Sequence, residues 1–123
     1  MRVLDTNVLI YFLAGEPIVA RRLDTWREAH ETFLVSTLVQ AEVLSLPKLT
    51  TRDVERIEGL LATMTLVPVD PPIARLAAEF RRRYRIQLAD AVIAATAFLR
   101  DAPLVTRNIK DFAKVREIKL ERI

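Results

Sequence analysis

Short apolar runs, each followed within a few residues by a helix-start signal, recur from one end of the chain to the other. Arg2 to Leu4 ends at Asp5, and Thr6-Asn7 opens the run Val8 to Ala14 that Gly15 closes, which reads as strand, turn, helix. Pro17 starts a second helix to about Ala29, with Ile18, Leu23 and Trp26 as its apolar positions. Phe33 to Val35 is the next strand. Ser36-Thr37, with Thr37 and Gln40 at capping-box spacing, starts a helix through Glu42 that stops before Pro47. A helix from about Thr51 to Met64 places Val54, Ile57, Leu60 and Leu61 on one stripe, and Thr65 to Val69 is a third strand. Asp70 ahead of Pro71-Pro72 starts a helix to about Tyr84, because proline loses nothing in a first turn and aspartate caps free amides. Gln87-Leu88-Ala89 leads into a further helix, Asp90 to Arg100. Pro103 to Thr106 is a fourth strand, Lys110 to Phe112 a short turn or helix, and Ile118 to Leu120 a fifth strand.

Apolar strands alternating with helices cannot expose either face of their sheet, so the expected fold is α/β: a three-layer α/β/α sandwich on a five-stranded, mostly parallel sheet. With 123 residues, no repeat and no linker, one domain spanning residues 1–123 is expected.

The chain has no cysteine, which excludes disulfides, thiolate metal sites and a cysteine nucleophile. Its one histidine, His30, near a helix end, reads as a surface residue and excludes any metal site built on two imidazoles. A metal here must be held by oxygen. The run Val8 to Ala14 is far shorter than the roughly 20 residues of a membrane span, and Asp5 interrupts what would be a leader, so a soluble cytoplasmic protein with no membrane partner is expected. Charge is uneven: residues 1–60 carry seven basic and nine acidic side chains, residues 61–123 twelve and seven. The second half is the candidate anion-binding half.

In a parallel sheet, ligands bind beyond the carboxyl ends of the strands. Asp5 stands after the first strand, Glu42 in the helix after the second, Asp90 at the start of the helix before the fourth, and Asn108 and Asp111 after the fourth. Singly, Asp5 and Asp90 have an ordinary alternative as helix caps, and Glu42 as a solvated side chain. Glu42 and Asp90, however, sit in apolar surroundings, Leu38-Val39-Gln40-Ala41-Glu42-Val43-Leu44 and Leu88-Ala89-Asp90-Ala91-Val92-Ile93, where an unpaired carboxylate pays a desolvation penalty. A pocket of such groups is most simply explained by Mg2+ or Mn2+, which takes oxygen ligands and water and can activate a water against a phosphodiester.

Val3-Leu4-Asp5-Thr6-Asn7, Ser36 to Glu42, Leu88 to Ala97 and Val105-Thr106-Arg107-Asn108-Ile109-Lys110-Asp111-Phe112 resemble, in order and spacing, the motifs of the PIN domain family. Over essentially the whole chain the likeness is greatest to the small VapC-type toxins of prokaryotic toxin-antitoxin pairs. The resemblance implies a metal-dependent endoribonuclease that uses Mg2+ or Mn2+ and leaves 5′-phosphate and 3′-hydroxyl ends. It also implies a cognate antitoxin and a homodimer, for which Tyr11, Phe12 and Trp26 offer apolar surface. Asp5, Glu42 and Asp90 match the family's acidic positions. The fourth position is filled either by Asn108, which ligates only through a neutral carbonyl oxygen, or by Asp111, and one metal or two remains open. Thr6, Asn7, Ser36 and Thr106 fall beside these acids as expected donors to the carboxylates or to bound water, with helix-cap or turn roles as the alternative.

Arg75 to Arg85 holds five arginines and one glutamate, ending Arg81-Arg82-Arg83-Tyr84-Arg85 five residues before Asp90. These arginines are the expected RNA-backbone track and Tyr84 a stacking platform, against the alternative of a solvated helix end. Arg107 is a further candidate for touching phosphate.

Two other enzyme-like folds begin with an aspartate after the first strand. A haloacid-dehalogenase-type phosphatase carries an acid two residues on, where this chain has Asn7, and a receiver domain needs an acidic pair and a late lysine that are absent. An RNA- or antitoxin-binding module with a weakened metal site is the non-enzyme alternative, and Asn108 is the residue that favours it.

Overall fold

The computed structural model describes all residues, Met1–Ile123, as five strands and seven helices: β1 Arg2–Leu4, α1 Thr6–Leu13, α2 Pro17–Glu28, β2 Phe33–Ser36, α3 Thr37–Leu44, α4 Thr51–Leu61, β3 Thr65–Val67, α5 Pro71–Tyr84, α6 Leu88–Leu99, β4 Leu104–Thr106, α7 Ile109–Phe112 and β5 Leu120–Arg122. No helix is long and apolar enough to cross a membrane. The strands form one sheet in the order β3-β2-β1-β4-β5, and every neighbouring pair is parallel. The sheet is thus parallel throughout.

From β1 the chain steps outward through β2 to β3, then crosses to β4 and steps the other way to β5. Right-handed crossovers then place α1 to α4 on one face and α5 to α7 on the other. Connections leave β1 and β4 toward opposite faces, which opens a crevice between the carboxyl ends of these two central strands.

The strands are short but wholly apolar at the centre: Val3, Leu4, Val35, Leu104 and Val105 are all but inaccessible, and Phe80 and Phe112 are the largest fully buried side chains. Each such aromatic contributes roughly 1.5–3 kcal/mol by leaving water. Helix α6 lays Ala91, Ala94, Ala95 and Ala97 into the core, and these small residues let it approach the strands closely.

Several boundaries differ from expectation for local reasons. Strand β5 begins at Leu120, not Ile118, since pairing runs Leu104 with Leu120 to Thr106 with Arg122, while Ile118 packs on the core from the preceding turn. The cap of α3 is Ser36, whose hydroxyl accepts from the Leu38 amide; Thr37 forms no capping box and instead accepts from the Val69 amide at 3.2 Å. The capping box of the chain is at Thr50 and Asp53, at the head of α4. Helix α6 starts at Leu88, two residues before Asp90, with Gln87 in the cap position. Trp26 is buried beneath two guanidinium groups, Arg2 at 4.2 Å and Arg22 at 4.7 Å, so it offers no free surface for self-association. Tyr11 and Phe98 stay exposed, and His30 lies at the surface at positive φ just past α2.

Candidate active site

Asp5 directly follows β1 and its backbone is extended, so it sits in the crevice and also caps α1: Oδ1 accepts from the Thr6 amide at 2.8 Å. Its other oxygen, Oδ2, accepts from the Thr106 hydroxyl at the end of β4, again at 2.8 Å. The cap role of Asp5 is thus present, and the same carboxylate lies at the crevice. Only 5% of the residue is accessible. Burial pushes its carboxyl above the ordinary value and the neighbouring Glu42 adds to this, while the hydrogen bonds from Thr106 and Thr6 oppose the rise.

The network extends both ways from Asp5. Thr6 donates its hydroxyl to Glu42 Oε1 at 2.6 Å, reaching from α1 to α3. Fully buried Thr106 also accepts, from the Asn108 amide at 2.9 Å, and Asn108 Nδ2 donates to Asp111 Oδ2 at 3.1 Å. Glu42, Thr6, Asp5, Thr106, Asn108 and Asp111 thus form one continuous chain of hydrogen bonds across three separate segments. Asn7 is exposed and joins none of these bonds, and the buried Ser36 hydroxyl is engaged in capping α3.

Asp90, in the first turn of α6, stands outside that chain and has no hydrogen-bonding partner of its own, although a helix N-terminus favours an anion. Desolvation, followed by repulsion from Asp5, Asp111 and Glu42, raises its carboxyl to about 6. These repulsions place Asp5, Glu42 and Asp111 in the electrostatic neighbourhood of Asp90. No lysine or arginine pairs with Asp5, Glu42 or Asp90; the one cation paired with the acidic set is Lys114, 3.9 Å from Asp111. An all-oxygen donor set with so little internal compensation fits a hard divalent cation. The acidic side chains do not converge into a three-carboxylate cage. Mg2+ keeps several waters in its shell, so carboxylates that stand apart can still share one hydrated ion.

The basic residues are more divided. Arg81, Arg82 and Arg85 form no ion pair, and Arg81 and Arg82 flank Leu88 at the start of α6. Arg83 is held between Glu79 at 2.7 Å and Glu117 at 3.1 Å, and Tyr84 donates its hydroxyl to the same Glu117. Arg107 pairs with Glu16 at 2.9 Å and lies over the Tyr11 ring at 4.8 Å. The Val19 amide and Arg107 together hold the Glu16 carboxyl below its ordinary value. Glu16, Glu117 and Lys114 were not anticipated. Lys114 alone left a trace in the sequence, three residues after Asp111.

The family model for the PIN domain matches residues 2–118. Among curated proteins, "Ribonuclease VapC19" of Mycobacterium tuberculosis is 32% identical over 117 residues, covering 91% of this chain and 92% of that protein. "Ribonuclease VapC10" of the same organism is 32% identical over 124 residues, covering 97% and 91%. Among solved structures, a toxin-antitoxin complex from Klebsiella pneumoniae superposes with a TM-score of 0.84 at 29% identity, covering 100% of each chain.

Proposed function

The chain belongs to the PIN domain family, and from that premise we propose that it is a divalent-metal-dependent endoribonuclease, the toxin of a type II toxin-antitoxin pair acting in the cytoplasm on RNA. The observation that carries this reading is the uncompensated carboxylate cluster at the β1–β4 crevice, where the Asp90 carboxyl rises to about 6. Relatives named as ribonucleases along nearly their full length supply the reaction class.

Asp5 and Asp90 would hold Mg2+ or Mn2+ directly. Glu42, with one oxygen fixed by Thr6, keeps the other for the ion or for the attacking water. Asp111 completes the set from the β4 side, and Asn108 acts as its holder through Nδ2, leaving its carbonyl oxygen for a ligand. When bound, the ion lowers the pKa of a water and neutralises charge on the phosphodiester. Thr106 keeps Asp5 in one orientation, which holds that one carboxylate ready for an ion. Arg81, Arg82 and Arg85 remain free to meet RNA phosphate, whereas Arg83 and Arg107 must first exchange a glutamate for it.

For partners, an open apolar groove lined by Ile10, Leu13, Ala14, Leu46, Leu49 and Ile57 suits the hydrophobic helix of an antitoxin, and a homodimer is the proposed assembly. A metal-free binding module is the competing reading, favoured by the neutral Asn108.

The test is cleavage of a defined RNA by purified protein in Mg2+ or Mn2+, with chelator and with Asp5→Asn as controls. Metal-dependent cleavage lost in Asp5→Asn is expected. Binding without cleavage under all conditions overturns the enzymatic reading in favour of the binding module.

A further inference from the structure

A second concave surface adjoins the carboxylate cluster. It is lined by Arg83 and Tyr84 from the end of α5 and by Ala113, Lys114 and Arg116 from the segment between α7 and β5. Lys114 joins the two places, since its ammonium lies 3.9 Å from Asp111 Oδ1 while its side chain walls the cleft. Lys114 and Arg83 are each about half exposed, and Arg116 is exposed and unpaired. The cleft thus presents three cations beside one aromatic ring, the combination that takes a single strand's phosphates and a stacked base.

Glu117 is the opposing charge. It binds both the Arg83 guanidinium and the Tyr84 hydroxyl, and so occupies the donors that a phosphate would otherwise meet. The Tyr84 ring is meanwhile held against Phe80, with centroids 6.0 Å apart.

We propose that this cleft, framed by Lys114, Arg116, Arg83 and Tyr84, is a subsite for single-stranded RNA flanking the cleaved phosphodiester, with Glu117 as the acid that the RNA backbone displaces. The inference deepens the ribonuclease reading and rests on it. It moves the RNA track from the helix end alone to a cleft shared with the α7–β5 segment, and it assigns Lys114 the place where the strand passes toward Asp111. A single strand is favoured over a duplex because the cleft offers a stacking face that paired bases do not expose.

The experiment is binding of a fluorescent single-stranded RNA in chelator, so that no cleavage intervenes, across a series of salt concentrations. Wild-type protein should bind with a steep salt dependence. Lys114→Ala with Arg116→Ala should flatten the slope of log affinity against log salt by about 1.4, at about 0.7 per phosphate contact on a single strand. Glu117→Gln should tighten binding. Tyr84→Leu should weaken it about tenfold or more at an unchanged slope, since stacking releases no counterions, whereas Tyr84→Phe keeps the ring and should recover most of that loss.

If wild type binds RNA with a steep slope and the Lys114/Arg116 variant keeps that slope, the subsite is refuted while the ribonuclease reading stands, and the cleft is left to an acidic polypeptide. If wild type binds no RNA and cleaves none, the ribonuclease reading fails and the subsite with it. Circular dichroism of each variant separates lost folding from lost contacts. Should Tyr84→Leu unfold, the Lys114/Arg116 slope still decides, because both side chains lie at the surface.

Discussion

The Thr106 hydroxyl donates to Asp5 Oδ2 at 2.8 Å, joining residues 101 positions apart across the two central strands. It also accepts from the Asn108 amide, so one buried oxygen sets the orientation of a β1 carboxylate and of the loop that carries Asp111. Replacing Thr106 with valine keeps the shape and removes both bonds. The expected cost is about 1–3 kcal/mol from the unsatisfied groups, together with a roughly 10–100-fold weaker hold on Mn2+. Thr106→Ser should recover most of each. Denaturant unfolding and calorimetric titration measure the two effects, and an undiminished Mn2+ affinity in the valine variant would show that Asp5 needs no such support.

Asp5→Asn should lower RNA cleavage by on the order of a hundredfold or more while leaving the chain folded, because the amide still offers an oxygen to Thr6 and no longer pays for a buried charge. In chelator its melting temperature should equal or exceed that of wild type. Cleavage at the wild-type rate in matched Mg2+ would sink the assignment of Asp5 as a ligand.

The pH dependence turns on Asp90. Its carboxyl titrates at about 6 in the folded chain against an ordinary 3.8, so the folded state holds the proton more firmly than the unfolded state does. That contribution to stability is complete below about pH 4 and is lost as the pH rises through about 6. The carboxyl is partly exposed, so solvent screening keeps the effect below the full linkage value. Without metal, Asp90→Asn should therefore become steadily more stable than wild type between about pH 4 and pH 7. Thermal melts in chelator test this, and a difference that does not change with pH contradicts it.

Asn108→Asp places a carboxylate against Asp111, where Nδ2 now donates at 3.1 Å. The variant should be less stable than wild type in chelator and bind Mn2+ more tightly, because the added charge is repulsive until a cation arrives. Calorimetry showing unchanged affinity and stoichiometry would place residue 108 outside the metal shell.

Much of the architecture was legible because its signals are local. Asp70-Pro71-Pro72, the stripe Ile57 and Leu61, and the apolar runs at Val3-Leu4 and Leu104-Val105 each state their element within a few residues. The acids were legible as well, since Asp5, Glu42 and Asp90 stand where strand ends and apolar helices make a carboxylate costly. Partnerships across the sheet were not. Nothing near Arg107 announces Glu16, 91 positions away, and nothing near Arg83 announces Glu117. Trp26 read as free apolar surface because sequence periodicity cannot reveal that Arg2 and Arg22 would cover it. Strand β5 was misplaced by two residues because an edge strand is set by its one neighbour, here β4, more than by its own hydrophobicity.

The sheet order also has a consequence for the chain as it is made. Strand β4 comes late in the sequence yet lies between β1 and β5. A growing polypeptide that has completed only β1, β2 and β3 leaves β1 as an open border, with Val3 and Leu4 unpaired on one side. It also lacks Thr106 and Asp111, so Asp5 has no orienting hydroxyl and Asp90 no late acidic neighbour. A fragment of residues 1–99 should accordingly be cut readily by protease and bind no Mn2+, which limited digestion and titration can check. The pairing of β1 and the orientation of Asp5 thus arrive in a single event, the threading of one three-residue strand into the middle of the sheet.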